Sequence, residues 1–116
     1  MTMTEKLPNS ENAVVEPKKL TKYLLSLDHP EGKGKAKFFI QHGFNPSEWE
    51  VLRTSLLNHG ATHPVVLVET SDFGAKYVLE CSVVSPDDRN PCIRSVWIVE
   101  PGQSSPRLVT AYANPP

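Results

Sequence analysis

Cysteine, net charge and long apolar runs are all scarce in this chain. The two cysteines among 116 residues, Cys81 and Cys92, are too few for a disulfide scaffold. Their apolar surroundings read as buried free thiols of a cytoplasmic protein. No apolar run approaches the roughly 18–20 residues of a membrane-spanning helix, so no membrane role is expected. The opening Met1-Thr2-Met3-Thr4-Glu5-Lys6 has no apolar stretch behind a basic start and does not read as a secretory signal. Lys plus Arg number 12 against 13 Asp plus Glu, a net charge of −1. That balance excludes a uniformly basic nucleic-acid coat but leaves room for a local patch. The four histidines, His29, His42, His59 and His63, show no ligand spacing, so neither a metal nor a cofactor is expected. A Gly-x-Ser-x-Gly elbow is missing, and Gly32-Lys33-Gly34-Lys35 lacks the full spacing of a phosphate loop.

What is present describes one small domain. Hydrophobic residues make up 39% and charged residues 22%, an ordinary globular balance. Residues 1–12 are polar and read as a flexible N-terminal arm, with residues 13–116 forming a single α+β domain. Pro17 suits the first turn of a helix, and Leu20, Tyr23, Leu24 and Leu27 repeat on one helical face. A second helix is predicted from Lys35 to about His42, stopped by Gly43. Asn45-Pro46-Ser47-Glu48 reads as the start of a third, carrying Trp49, Leu52, Leu56 and Leu57 and stopping near Asn58-His59-Gly60. The period then changes to two. Strands are predicted at Val65–Val68, around Tyr77–Val83, at Ile93–Val99 and at Arg107–Tyr112, with a turn at Phe73-Gly74. Short connections favour an antiparallel meander. The expected fold is therefore about three N-terminal helices packed on a four-stranded antiparallel sheet. Exposed sheet edges leave a homodimer open.

Charge is unevenly spread. Lys18 to Lys37 holds six lysines against two acids, whereas Ala61 to the end holds four basic and six acidic residues. Such a patch either decorates a solvated helix face or meets an anion. RNA supplies its own nucleophile, so cleaving it needs proton transfer and cations around the phosphate, without a metal. His29, Lys33, Lys35 and Lys37 lie within nine residues, at a loop opening a helix. Arg94 is a charge inside a predicted strand, and Thr110 lies in the last strand. Arg94 read structurally is a sheet-face ion pair; Thr110 read structurally is plain strand propensity. Trp97 and Tyr112 read first as packing residues.

The motifs Leu7-Pro8-Asn9, Ala13-Val14-Val15-Glu16-Pro17, Lys19-Leu20, Tyr23-Leu24-Leu25, His29-Pro30-x-Gly32, Lys35-Ala36-x-Phe38-Phe39 and Gly43-Phe44 resemble an uncharacterised family of small bacterial toxin-type proteins. Val96-Trp97-Ile98 and Pro106 to Tyr112 extend the likeness over nearly the whole chain. That family is similar to the barnase–EndoU–colicin–RelE-like (BECR) group of metal-independent ribonucleases. The resemblance implies helices packed on a four-stranded sheet. It also implies a cytoplasmic ribonuclease toxin, paired with a small neutralising antitoxin or immunity protein. It implies a catalytic set of His29, Lys35, Arg94 and Thr110; beside them, Lys33, Lys37, Arg107 and Tyr112 are expected to bind RNA. The slightly acidic chain departs from the strongly basic character of many ribonuclease toxins. The alternative is a non-catalytic protein-binding module, of antitoxin, immunity or adaptor type, on the same fold. A third option is a small-molecule pocket between the third helix and the sheet.

Overall fold

A computed structural model describes residues 6–114. Three helices precede a four-stranded antiparallel sheet, as the periodicity predicts. Chain entry is anchored. Leu7 is buried in the core, a short 3₁₀ turn forms at Ser10–Asn12, and the Asn9 side-chain amide donates to the Ser104 carbonyl.

Helix α1, Pro17–Lys19, begins with proline at its first position and runs into a π turn, Leu20–Leu24. The wider turn is closed by the Leu25 N–H donating to the Leu20 carbonyl, 2.8 Å. Leu20, Leu24 and Leu25 all enter the core, while Leu27, placed on the same face by a regular helical period, is 49% exposed. The helix ends with the π turn at Leu24, so Leu27 falls in the turn that follows and not on a helical face. Helix α2, Lys33–Gln41, starts two residues earlier than the sequence suggests and buries Ala36 and Phe39. At Pro46–Glu48 a 3₁₀ turn, capped by the Asn45 side chain, leads into helix α3, Trp49–Thr62. Gly60 does not stop α3. It lies inside the helix because the Trp97 ring packs against its backbone, and a β-carbon there would sit 2.8 Å from Trp97 Cζ2. The space between α3 and the sheet is thereby filled by Trp97, Leu52, Leu56 and His59 rather than left open for a small molecule.

The strands are β1 (Val65–Ser71), β2 (Gly74–Ser82), β3 (Cys92–Val99) and β4 (Arg107–Ala113), side by side in that order. The β1–β2 turn is one residue earlier than expected, with Ser71 opposite Gly74 and Asp72-Phe73 between them. One face packs on the helical layer through Leu79, Ile93, Trp97, Leu108 and Ala111, with α3 over β2 and β3 and α1 and α2 over β4. His59, itself buried, ties α3 to that face through the Ser95 hydroxyl and the Cys81 carbonyl, each at 2.9 Å. The Trp97 indole N–H donates to the same Ser95 oxygen. Register sets the opposite face: Lys76 opposite Ile98, Val78 opposite Val96, Glu80 opposite Arg94, then Thr110 and Tyr112 on β4. The cysteines are not free thiols. Cys81, at the exposed end of the core-facing row, is bonded to Cys92 on the neighbouring strand. Among the described residues no helix is long and apolar enough to cross a membrane.

Candidate functional site

The π turn and α2 overhang strand β4, so their side chains reach round its edge onto the open sheet face. The centre of this overhang is Tyr23. The Lys35 ammonium donates to the Tyr23 phenol oxygen, which lies 3.3 Å from Thr110 Oγ1. With Lys35 as one donor, the neutral phenol gives its proton to Thr110, and the ionised oxygen accepts from both. Burial opposes ionisation of Tyr23. The hydrogen bonds from Lys35 and Thr110 and the charges of Lys35 and Lys19 outweigh it, leaving the phenol below its ordinary pKa. The Lys35 nitrogen is also 4.8 Å from the Tyr23 ring centre and 5.8 Å from that of Tyr112. The Arg94 guanidinium, on the strand paired with β4, stands 6.0 Å from the Tyr112 ring centre. Tyr112 and Glu80 hold that guanidinium above its ordinary pKa, and Glu80 forms an ion pair with it across β2 and β3.

His29 closes the loop before α2. Its Nδ1 accepts hydrogen bonds from the backbone N–H groups of Glu31 and Gly32, at 3.0 and 2.9 Å, and its ring stands edge-on to Tyr23 at 4.9 Å. Two donors aimed at Nδ1 require a lone pair there, so the ring proton is carried on Nε2. The Lys33 N–H is taken by the His29 carbonyl, so the amides leading into α2 are spent within the loop. Gly32 is needed for this closure, because a β-carbon would lie 2.5 Å from the Tyr23 carbonyl.

Of the eight residues singled out from sequence, His29, Lys35, Arg94, Thr110 and Tyr112 thus form one contiguous chain of contacts through Tyr23. Lys33 and Lys37 do not join it. Both are exposed, and each is two positions from Lys35, about 200° around α2, which turns them away from Tyr23. Arg107 lies at the near end of β4, paired with Glu16 at 3.3 Å and Glu100 at 2.7 Å. Tyr23 itself is hidden in the sequence, because its place in an apolar helical repeat reads as core. Glu80 is hidden because only strand register brings it to Arg94.

Beside the cluster, a groove of about 930 Å³ crosses the open face from α1 to the β1–β2 turn. Tyr23, His29 and Thr110 line one end; Lys18, Lys19, Lys22, Lys76 and Arg107 outnumber Glu16 and Glu31 along its walls. Among the described residues, no three His, Cys, Asp or Glu side chains gather as a metal site. The arrangement offers hydrogen-bond donors and cations to an anion, beside a phenol whose pKa is lowered by Lys35, Thr110 and Lys19.

Residues 6–115 match a family described as a domain of unknown function, DUF6883. No curated protein matches the chain. Among solved structures, a chain of a contact-dependent growth inhibition toxin–immunity protein complex from Klebsiella pneumoniae 342 is similar. It superimposes with a TM-score of 0.70 at 17% identity, over 92% of this chain and 97% of that one. At that identity the likeness shows a shared fold.

Proposed function

The chain belongs to the DUF6883 family, and we propose that it is the toxin of a toxin–antitoxin or toxin–immunity pair, acting as a metal-independent endoribonuclease. The observation that carries this reading is the Lys35–Tyr23–Thr110 hydrogen-bonded set at the mouth of a cationic groove. The fold shared with a protein from a toxin–immunity complex supports the pairing. RNA in the cytoplasm is the substrate, and a small neutralising protein is the partner.

In this mechanism Tyr23 acts as the phenolate, its own proton given up to solvent before substrate binds and its charge held by Lys35, and its oxygen takes the proton of the ribose 2′-hydroxyl. The 2′-oxygen attacks phosphorus, a 2′,3′-cyclic phosphate forms, and the 5′-oxygen leaves with a proton from Lys35. Lys35 and Arg94 offset the charge that builds on the phosphate, and Thr110 orients it. His29 takes a different part from the acid–base role expected of it. With Nδ1 occupied by backbone amides, its Nε2–H is a hydrogen-bond donor to a phosphate oxygen. Arg107 on the groove wall and Tyr112 beside Lys35 contribute to strand binding rather than chemistry, whereas Lys33 and Lys37, turned away from the site, take no part.

The test is incubation of the purified protein with total RNA in EDTA. The parent is expected to release fragments ending in cyclic phosphate. Tyr23→Phe and Lys35→Ala are expected to slow cleavage by about 100-fold or more, the usual scale for a lost proton-transfer group. An inactive parent, or variants that cut as well as the parent, overturn the mechanism. One observation favours the non-catalytic alternative: Arg94 and Arg107 are both already paired with carboxylates. On that reading the protein binds its partner and leaves RNA intact.

A further inference from the structure

We infer that the groove across the open sheet face is a single-strand subsite in which a base of the substrate stacks on Phe73, while the flanking phosphates meet Lys22 and Lys76. This rests on the ribonuclease reading and names the form of substrate that the site takes.

Phe73 is 78% exposed, the most exposed large hydrophobic residue among those described. It stands at the tip of the two-residue β1–β2 turn, and that turn is stiff. The Phe73 N–H donates to the Ser71 hydroxyl at 3.1 Å. Gly74 adopts φ 121°, and a β-carbon there would collide with the Val99 carbonyl, so the turn is pressed onto β3. A ring on a fixed turn gives a stacking partner little conformational entropy to lose. Phe73 and Tyr23 both line the groove, Phe73 on the β1–β2 turn and Tyr23 against Thr110 on β4 at the other edge of the sheet, so a strand whose scissile phosphate sits at Tyr23 runs toward Phe73.

The groove walls supply the charge. The ion pairs among the described residues all belong to arginines, and the groove lysines Lys18, Lys22 and Lys76 have no carboxylate partner. Lys76 stands opposite Glu69 on β1 with no ion pair formed, and opposite Ile98 on β3, which stands opposite the carboxylate-paired Arg107, so Lys76 and Arg107 flank an apolar floor about 10 Å across at ordinary strand spacing. Apolar floor, lysines without an ion pair and one projecting ring are the parts of a sequence-tolerant single-strand site. A duplex keeps its bases stacked inside and offers no face to the ring.

The experiment measures fluorescence anisotropy of a short 2′-O-methyl oligonucleotide, which cannot be cleaved, against the full chain. Phe73→Ala is expected to weaken binding roughly tenfold, within the usual range for one stacked base, and Phe73→Trp to restore it. Lys76→Gln is expected to flatten the log K against log salt plot by about 0.7, the loss of one phosphate contact, whereas Phe73→Ala leaves that slope unchanged. An oligonucleotide with abasic positions removes the difference between parent and Phe73→Ala. Equal affinity for duplex and single strand, or unchanged binding in Phe73→Ala, overturns the inference, and the latter assigns the ring to a protein contact. Because binding is read without cleavage, the two readings part company. Phe73-dependent binding without cleavage in EDTA defeats the catalytic mechanism alone. Cleavage without Phe73-dependent binding defeats the subsite alone.

Discussion

Acidification provides a direct test of the buried network that fastens α3 to the sheet. His59 is 1% exposed, with Nδ1 facing the Ser95 hydroxyl and Nε2 facing the Cys81 carbonyl. The Trp97 indole N–H already occupies the Ser95 oxygen, so Ser95 is free to give its own proton to Nδ1 while Nε2–H donates to the carbonyl. That assignment satisfies every group with a neutral imidazole, whereas a charged ring would face the Ser95 proton with a second proton. Burial, and then the neighbouring His63 ring stacked at 4.2 Å, push the His59 pKa from 6.5 down to about 4. Between these values the unfolded chain binds a proton that the folded chain refuses. Stability is therefore full above pH 6.5 and falls as the pH drops toward 4. The difference corresponds to about 3 kcal/mol, with a slope approaching 1.4 kcal/mol per pH unit. For a domain of this size that is a large part of a total of about 5–15 kcal/mol. Urea unfolding at pH 7.0 and 4.5 reads it as a midpoint lower by about 1–2 M at the acid end. His59→Gln keeps a donor and an acceptor and cannot titrate, so its midpoint is expected to be flatter over the same interval. Asp87, held down to about 2 by the Ser85 hydroxyl and Arg89, loses its contribution only below this window and does not confuse the reading. A parent midpoint indifferent to pH between 6.5 and 4.5, or a variant with the parent's slope, refutes the reasoning.

Two glycines provide further tests. Gly60→Ala drives a β-carbon to within 2.8 Å of a Trp97 ring that its own hydrogen bond to Ser95 holds in place. Overpacking of about 1–3 kcal/mol against a helix-propensity gain of about 1 kcal/mol predicts a net loss. Thermal unfolding is expected to shift down by roughly 4 °C or more, and an unchanged or raised Tm speaks against the packing argument. Gly32→Ala forces the loop away from the Tyr23 carbonyl and from Tyr23 Cδ1, which lies 2.8 Å from the added carbon. Circular dichroism of that variant is expected to match the parent, while RNA cleavage falls at least tenfold; full activity would show that Tyr23 need not be held where it is.

Local pattern settled the architecture. Apolar spacing of three and four in the first half, alternation in the second, and short turns between strands leave an antiparallel meander behind a helical layer as the economical arrangement. The structure has that order. Arg94 is also visible as a charge inside a strand, while Lys35 and Thr110 are visible only as candidates that helix-face decoration and strand propensity would equally explain. Their company is not visible. Tyr23 sits in an apolar repeat, and only the π turn delivers it to the β4 edge beside Thr110. Lys33 and Lys37 share a short segment with Lys35, but the helical turn sends them elsewhere. Cys81 meets Cys92, and Glu80 meets Arg94, because β2 and β3 pair in one register out of several. Periodicity is a property of neighbours a few positions apart, so a sequence carries it openly. Register and overhang are decided by which arrangement buries Leu20, Trp97 and their neighbours together, a sum over contacts between distant parts of the chain, so only the folded structure determines which polar groups meet.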